Sequence, residues 1–178
     1  NPPQTVTIHS VDADDGTLYG RLTTGGTATT CCGAAGGIYI GQANLSTTFG
    51  VLDPGLARGF LRFDLRALPA AIDIVGASLR VQQLSAGLQA SADPYPLLGN
   101  VVVDHMDFGA TLEAGDFQAA ATAAGVATLS TVTVNGQVSS ASFGATGVAA
   151  VNKAGTTQVR LAFTLDDNDD QGTDYVGF

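Results

Sequence analysis

Apolar and polar positions alternate with period two along much of this chain, and neither a heptad pattern nor an internal repeat is present. The cleanest run is 156–165. Val159, Leu161, Phe163 and Leu165 share one face of it, and Gln158, Arg160, Ala162 and Thr164 share the other. A second informative stretch runs from Arg58 to Arg80 and predicts two strands joined by a corner. In 59–65, Phe60, Arg62 and Asp64 alternate with Leu61, Phe63 and Leu65. Leu68-Pro69 then stops the strand, because proline removes a ladder donor and fixes φ. The second strand is expected over 72–83, with a bulge at Gly76.

The same reading predicts strands at Thr5 to His9, Thr17 to Leu22, Ile38 to Ile40, Val126 to Val134 and from Tyr175 onward. Val101-Val102-Val103 is a continuous apolar run, which predicts a strand buried on both faces or at a sheet centre. Asp12 to Gly16 reads as a turn, Asp93-Pro94-Tyr95-Pro96 as a rigid loop, and Asn135-Gly136 as a hairpin signal. One helical turn is expected at 119–124, and a short helix at a sandwich edge at 145–151. The expected core draws on Phe60 or its neighbours Leu61 and Phe63, with Leu79, Val81, Val102, Leu161, Phe163 and Leu165. The fold class that follows is all-β: a two-sheet antiparallel sandwich of about eight to ten strands, with jelly-roll-like order. It divides into an arm, 1–4, and one sandwich domain, 5–178.

Composition narrows the function. Only 13% of the 178 residues are charged, about half the usual share, and the net charge is −9. Such a chain has no basic patch for nucleic acid or an anionic membrane surface, and no stretch long and apolar enough to enter a bilayer. The tracts 22–52 and 117–152 carry no charge at all. Solvated surfaces usually intersperse charges, so these tracts point to contact with other subunits, a glycan coat, or tolerated neutral loops. The opening Asn1-Pro2-Pro3-Gln4 reads as a processed end, so a mature extracellular or cell-surface protein is expected. The sequon Asn44-Leu45-Ser46 is a candidate glycosylation site.

Candidate chemistry is sparse. Asp166 to Asp174 packs hard oxygen ligands between two strands, and Asp166, Asn168, Asp169, Asp170 and Asp174 are the candidate calcium ligands. The run fails as an EF-hand, because position twelve counted from Asp167 is Phe178. Asp12, Asp14 and Asp15 form a weaker candidate. Cys31 and Cys32 are adjacent, so a bridge between them is a strained ring. They read as two small buried residues, a vicinal disulfide, or bonds to a neighbouring subunit. His105 lies between Asp104 and Asp107, a pair that could orient a base, although a histidine at a strand end is more often structural. Catalytic motifs are lacking, so no enzyme is expected. Sugar stacking would fall to Tyr19, Tyr39, Tyr95 and Tyr175, since the chain has no tryptophan.

Several blocks together resemble one family. Gly59-Phe60-Leu61-Arg62-Phe63-Asp64-Leu65, Leu68-Pro69 and Ile74-Val75-Gly76-Ala77-Ser78-Leu79-Arg80 look like the hallmark of the DNRLRE, or disaggregatase-related, β-sandwich domains. Leu112 to Ala119, Asn152 to Phe163, Asp166 to Asp170 and Asp174-Tyr175 are similar to a subgroup found in large secreted bacterial proteins. The resemblance implies a secreted jelly-roll sandwich linked to carbohydrate binding or surface structure, with no catalytic residues to carry over. It also implies a closing strand after Phe178, so the domain as given is expected to lack its final strand. Two functions are therefore expected. The first is a structural or adhesive subunit, calcium-stabilised, that assembles with copies of itself, with Thr5, Val6, Thr7, Ile8, Cys31 and Cys32 at the junctions. The alternative is a carbohydrate-binding module of a larger secreted enzyme, with extracellular glycans as partners.

Overall fold

A computed structural model describes residues 2–20, 29–31, 37–43, 55–84, 93–166, 168 and 173–178. Among these residues ten strands follow in order: β1 Gly16–Gly20, β2 Thr29–Cys31, β3 Tyr39–Ala43, β4 Gly55–Asp64, β5 Ser78–Gln82, β6 Val101–Met106, β7 Ala123–Thr128, β8 Val138–Ser142, β9 Thr156–Phe163 and β10 Asp174–Gly177. Among the described residues, helix is confined to α1 Tyr95–Leu98, a 3₁₀ turn at Ala114–Phe117 and α2 Ala145–Ala149. All pairings among the described residues are antiparallel. One sheet runs β10-β3-β4-β9-β6-β7, with β1 on β4 and β2 on β1; a second holds β5 and β8. The protein is thus an all-β fold of two antiparallel sheets. These pairings do not by themselves establish jelly-roll winding.

β4 organises the large sheet. Along one edge it pairs with β1, from Leu56 to Phe60. Along the other it pairs with β3 over Gly55–Ala57 and then with β9 over Gly59–Asp64. β4 is also covered on both faces: adjacent residues point to opposite sides, and both Phe60 (0% exposed) and Leu61 (6%) are buried. Leu61, Val103, Val159 and Leu161 face the main core, which Leu79 of β5 and Ala141 of β8 close from the second sheet. On the opposite face Leu18, Leu56, Phe60, Met106, Phe108 and Phe117 form a separate cluster. β6 serves both, sending Val101 and Val103 to one and Met106 to the other.

Several expectations need correction. Thr5 to His9 is not a strand; the first ladder contact is Ser10 with Phe63. Continuing that antiparallel register would put Ile8 opposite Leu65, where β4 has ended and the chain turns into the Pro69 corner. Residues 72–77 are likewise outside β5, which begins at Ser78. Of the expected core, Val102 is half-buried between fully buried Val101 and Val103, and Leu165 is 54% exposed. β9 stops at Phe163 because Leu165 N and Thr164 Oγ1 both donate to Leu98 O, which turns the chain out of its alternation. Val81 and Phe63 are half-buried against the main core.

The helical turn expected at 119–124 lies earlier, at Ala114–Phe117. Glu113 N donates to Asp116 Oδ2 at 2.7 Å in a reciprocal capping box that starts the turn there. Asp93 to Pro96 leads into α1, with proline in its first turn. β7 ends at Thr128, and the chain then crosses between sheets with Leu129 and Val132 buried in the main core. Gly136 does turn the chain, at φ +82°, with Gln137 N donating to Val134 O at 3.0 Å. The strand that follows, β8, pairs with β5 and not with β7.

Candidate functional site

The second face of the large sheet carries a row of three arginines, Arg62 buried and Arg58 and Arg160 half-buried. Arg58 and Arg62 come from β4 and Arg160 from β9. Alternation puts all three on the side where Phe60 packs. Arg160 reaches Asp104 of β6, its opposite number across the ladder, at 2.7 Å, and also donates to Ala119 O at 2.8 Å. The other Asp104 oxygen accepts from Gly125 N at 2.7 Å. Arg62 donates to Asp14 at 3.0 Å, to Ala110 O at 2.8 Å and to Gly109 O. It also lies over the Phe108 ring, 5.2 Å from the centroid. Arg58 lies 4.6 Å from the Phe117 centroid and grips both Asp166 oxygens, at 3.0 and 3.1 Å. Each guanidinium therefore ties a loop to the sheet through charge-assisted bonds.

Asp15 belongs to the same face. It is 6% exposed, and its Oδ1 accepts Arg62 N at 2.8 Å. Burial pushes its carboxyl up from the ordinary 3.8, against the hydrogen bonds from Ser10 and Arg62 that pull it down. A carboxyl raised in the folded state contributes most when protonated, below its unfolded pKa, and that contribution is lost as pH rises through the folded value. Asp15→Asn keeps an acceptor for Arg62 N and removes the buried charge. The variant is expected to melt higher than the parent at pH 7, with the advantage vanishing below about 3.8; paired melting curves across that range check it.

His105 is 3% exposed on β6. Its Nε2 lies 3.0 Å from Gly147 O of α2, and its ring meets Phe143 edge-on at 5.4 Å. Burial pushes its pKa below the ordinary 6.5, so the imidazole is neutral at physiological pH. Its neighbours Asp104 and Asp107 are engaged elsewhere, with Arg160 and with Gly109 N. The arrangement docks α2 onto the sheet.

The acidic stretch is divided by the fold. Asp166 is held by Arg58. Asn168 Nδ2 donates to Asp174 Oδ2 at 3.3 Å, and Asn168 N points at Gln42 Oε1 at 3.5 Å. Asp174 sits opposite Gln42 in the β10–β3 ladder, and both are buried. The structure therefore brings Asn168 and Asp174 together and adds Gln42, fully buried, with its Nε2 unbonded. Nothing in the local sequence marks Gln42, which is 126 residues from Asn168 and arrives only through strand pairing. Asp169 and Asp170 lie outside the described residues, as do Cys32 and the sequon residue Asn44. Cys31 ends β2. Thr5, Val6 and Thr7 are exposed and Ile8 is half-buried.

The tyrosines are mostly inside. Tyr19, Tyr39 and Tyr95 are at most 9% exposed, and Tyr175 is half-buried with its ring 5.9 Å edge-on from Tyr39. Burial, reinforced by Tyr39 and Tyr175, pushes the Tyr19 phenol up to about 12. Tyr19, Tyr39 and Tyr95 present no open ring for a sugar to stack on, and Tyr175 is only partly exposed. Neither a protein-family model nor a curated protein sequence matches the chain.

Proposed function

We propose that this chain is a non-catalytic structural or adhesive β-sandwich subunit of the DNRLRE type, working outside the cell and assembling with copies of itself. The observation that carries the reading is the commitment of its ionisable groups. Arg58, Arg62, Arg160, Asp104 and His105 are each tied to internal partners, which suits a scaffold and leaves none of them poised for proton transfer. The outer face of the small sheet exposes Ser78, Gln82, Ser140 and Ser142 around a single charge, Arg80, a surface suited to close approach by another copy. Light scattering with electron microscopy tests the reading. Concentration-dependent assembly is expected, and a monomer at all concentrations would end it. The carbohydrate-binding alternative has less support, since the tyrosines are turned inward; binding on a glycan array would restore it.

Calcium is part of the proposal. Asp174, Asn168 and Gln42 set oxygen-bearing side chains around one buried carboxylate, a start on the oxygen-rich shell that calcium takes. Binding only to the folded protein at about a hundred times Kd adds about 2.7 kcal/mol. For a chain of this size that raises the melting midpoint by about 5–10 °C over a chelated sample. Equal midpoints with calcium and with chelator would remove calcium while leaving the assembly reading intact.

A further inference from the structure

Most sheet edges among the described residues are covered. Gly144 N donates to Val126 O on the outside of β7, Leu84 N donates to Gly177 O on the outside of β10, and Ser130 bonds the outer side of β8 through Ser139 and Ser140. β5 differs. Two bonds fix the parity of its ladder: Phe143 N donates to Ala77 O, and Gln83 N donates to Gln137 O. Odd-numbered residues of β5 therefore face β8, and the N–H and C=O groups of Ser78, Arg80 and Gln82 point to the opposite edge. Among the described residues nothing bonds them there. The side chains of the same three residues are exposed, and Leu79 and Val81 turn towards the core. Arg80, at the centre, is also the described arginine without a carboxylate partner; Arg58, Arg62, Arg66 and Arg160 all have one.

A row of free backbone groups of this kind is a template for one more strand. The same molecule offers a matching segment. Residues 5–9 alternate Thr-Val-Thr-Ile-His, match β5 in length, and pair with no strand. Val6 is 63% exposed. The segment has no acidic or basic side chain other than His9, so it can approach a molecule of net charge −9 without adding repulsion, and it passes a cationic edge centred on Arg80. In register with β5 it would place Val6 and Ile8 on the side of Leu79 and Val81, and its threonines beside Ser78, Arg80 and Gln82.

We propose that the outer edge of β5 accepts Thr5 to His9 of a second copy. The inference rests on the self-assembly reading above and names the surface that carries it. Because donor and acceptor are different parts of the chain, the contact is head-to-tail and propagates unless it closes into a ring.

The test uses two variants of the 1–178 chain. Arg80→Pro removes the N–H that points to the open edge and leaves the β5–β8 ladder bonds in place, so the acceptor is blocked while the sandwich survives; an unchanged circular dichroism spectrum confirms that. Deleting 1–9 removes the donor. Mass is followed by sedimentation against concentration. The intact chain is expected to associate, and each variant alone is expected to stay monomeric. Mixing the two, one with only the acceptor and one with only the donor, is expected to restore a capped heterodimer. If the intact chain assembles and Arg80→Pro or the deletion assembles equally well, the β5 edge is overturned while self-assembly stands. Two monomeric variants that fail to combine also overturn it. An intact chain that is monomeric throughout overturns both readings.

Discussion

Replacing Phe60 with alanine is expected to lower the unfolding free energy by about 3–5 kcal/mol, the range for deleting a fully buried phenylalanine. Phe60 is 0% exposed at the middle of the strand that holds the large sheet together. Its ring meets Phe108 edge-on at 5.9 Å and sits in one cluster with Leu18, Leu56, Met106 and Phe117. The neighbours come from β1, β4, β6 and two loops, so the site cannot collapse onto the hole without moving several elements. Urea unfolding should show a lower midpoint at an unchanged slope. Phe63→Ala, on the same strand but half-buried, should cost distinctly less. Equal losses at the two positions would mean that the second cluster is not packed as described.

Arg160→Ala is expected to cost a similar amount, about 3–5 kcal/mol, for a different reason. The variant leaves Asp104 enclosed, its side chain 11% exposed, without the guanidinium that meets it at 2.7 Å. An uncompensated buried charge is what makes breaking such a pair costly, whereas an apolar replacement of both partners is often close to neutral. The double variant Asp104→Asn with Arg160→Met should therefore recover most of the loss, since asparagine still offers Gly125 N an oxygen and methionine fills the arginine stem's space. A double-mutant cycle in urea measures the coupling. Additive losses would show that Arg160 acts through packing of its stem and its bond to Ala119 O.

β9 was legible because its alternation is long, uninterrupted and flanked by turn residues; only Leu165, past the bonds to Leu98 O, departs from it. β4 was legible for the same reason, and Pro69 correctly marked the corner after it. Thr5 to His9 alternates just as well and is not a strand, because alternation shows which residues would share a face and says nothing about whether a partner lies alongside. The candidate site was much less legible. Asp166 stood out in its acidic run, but its partner Arg58 is 108 residues away, and Arg160 and Asp104 are 56 apart. His105 looked like half of a His–Asp pair, until its ring was found against Phe143 and its nitrogen against Gly147 O.

The sequence by itself determined the class of fold, the strands with long alternation, and a surface poor in charge. These follow from periodicity and composition, which are local properties of the chain. Tertiary structure alone decided that β4 is flanked on both edges, that β8 joins β5, that three arginines close onto one face, and that the outer edge of β5 has no partner among the described residues. Those outcomes depend on which distant strands meet and in what register. A one-residue slip in any ladder would exchange the faces and separate every pair named above.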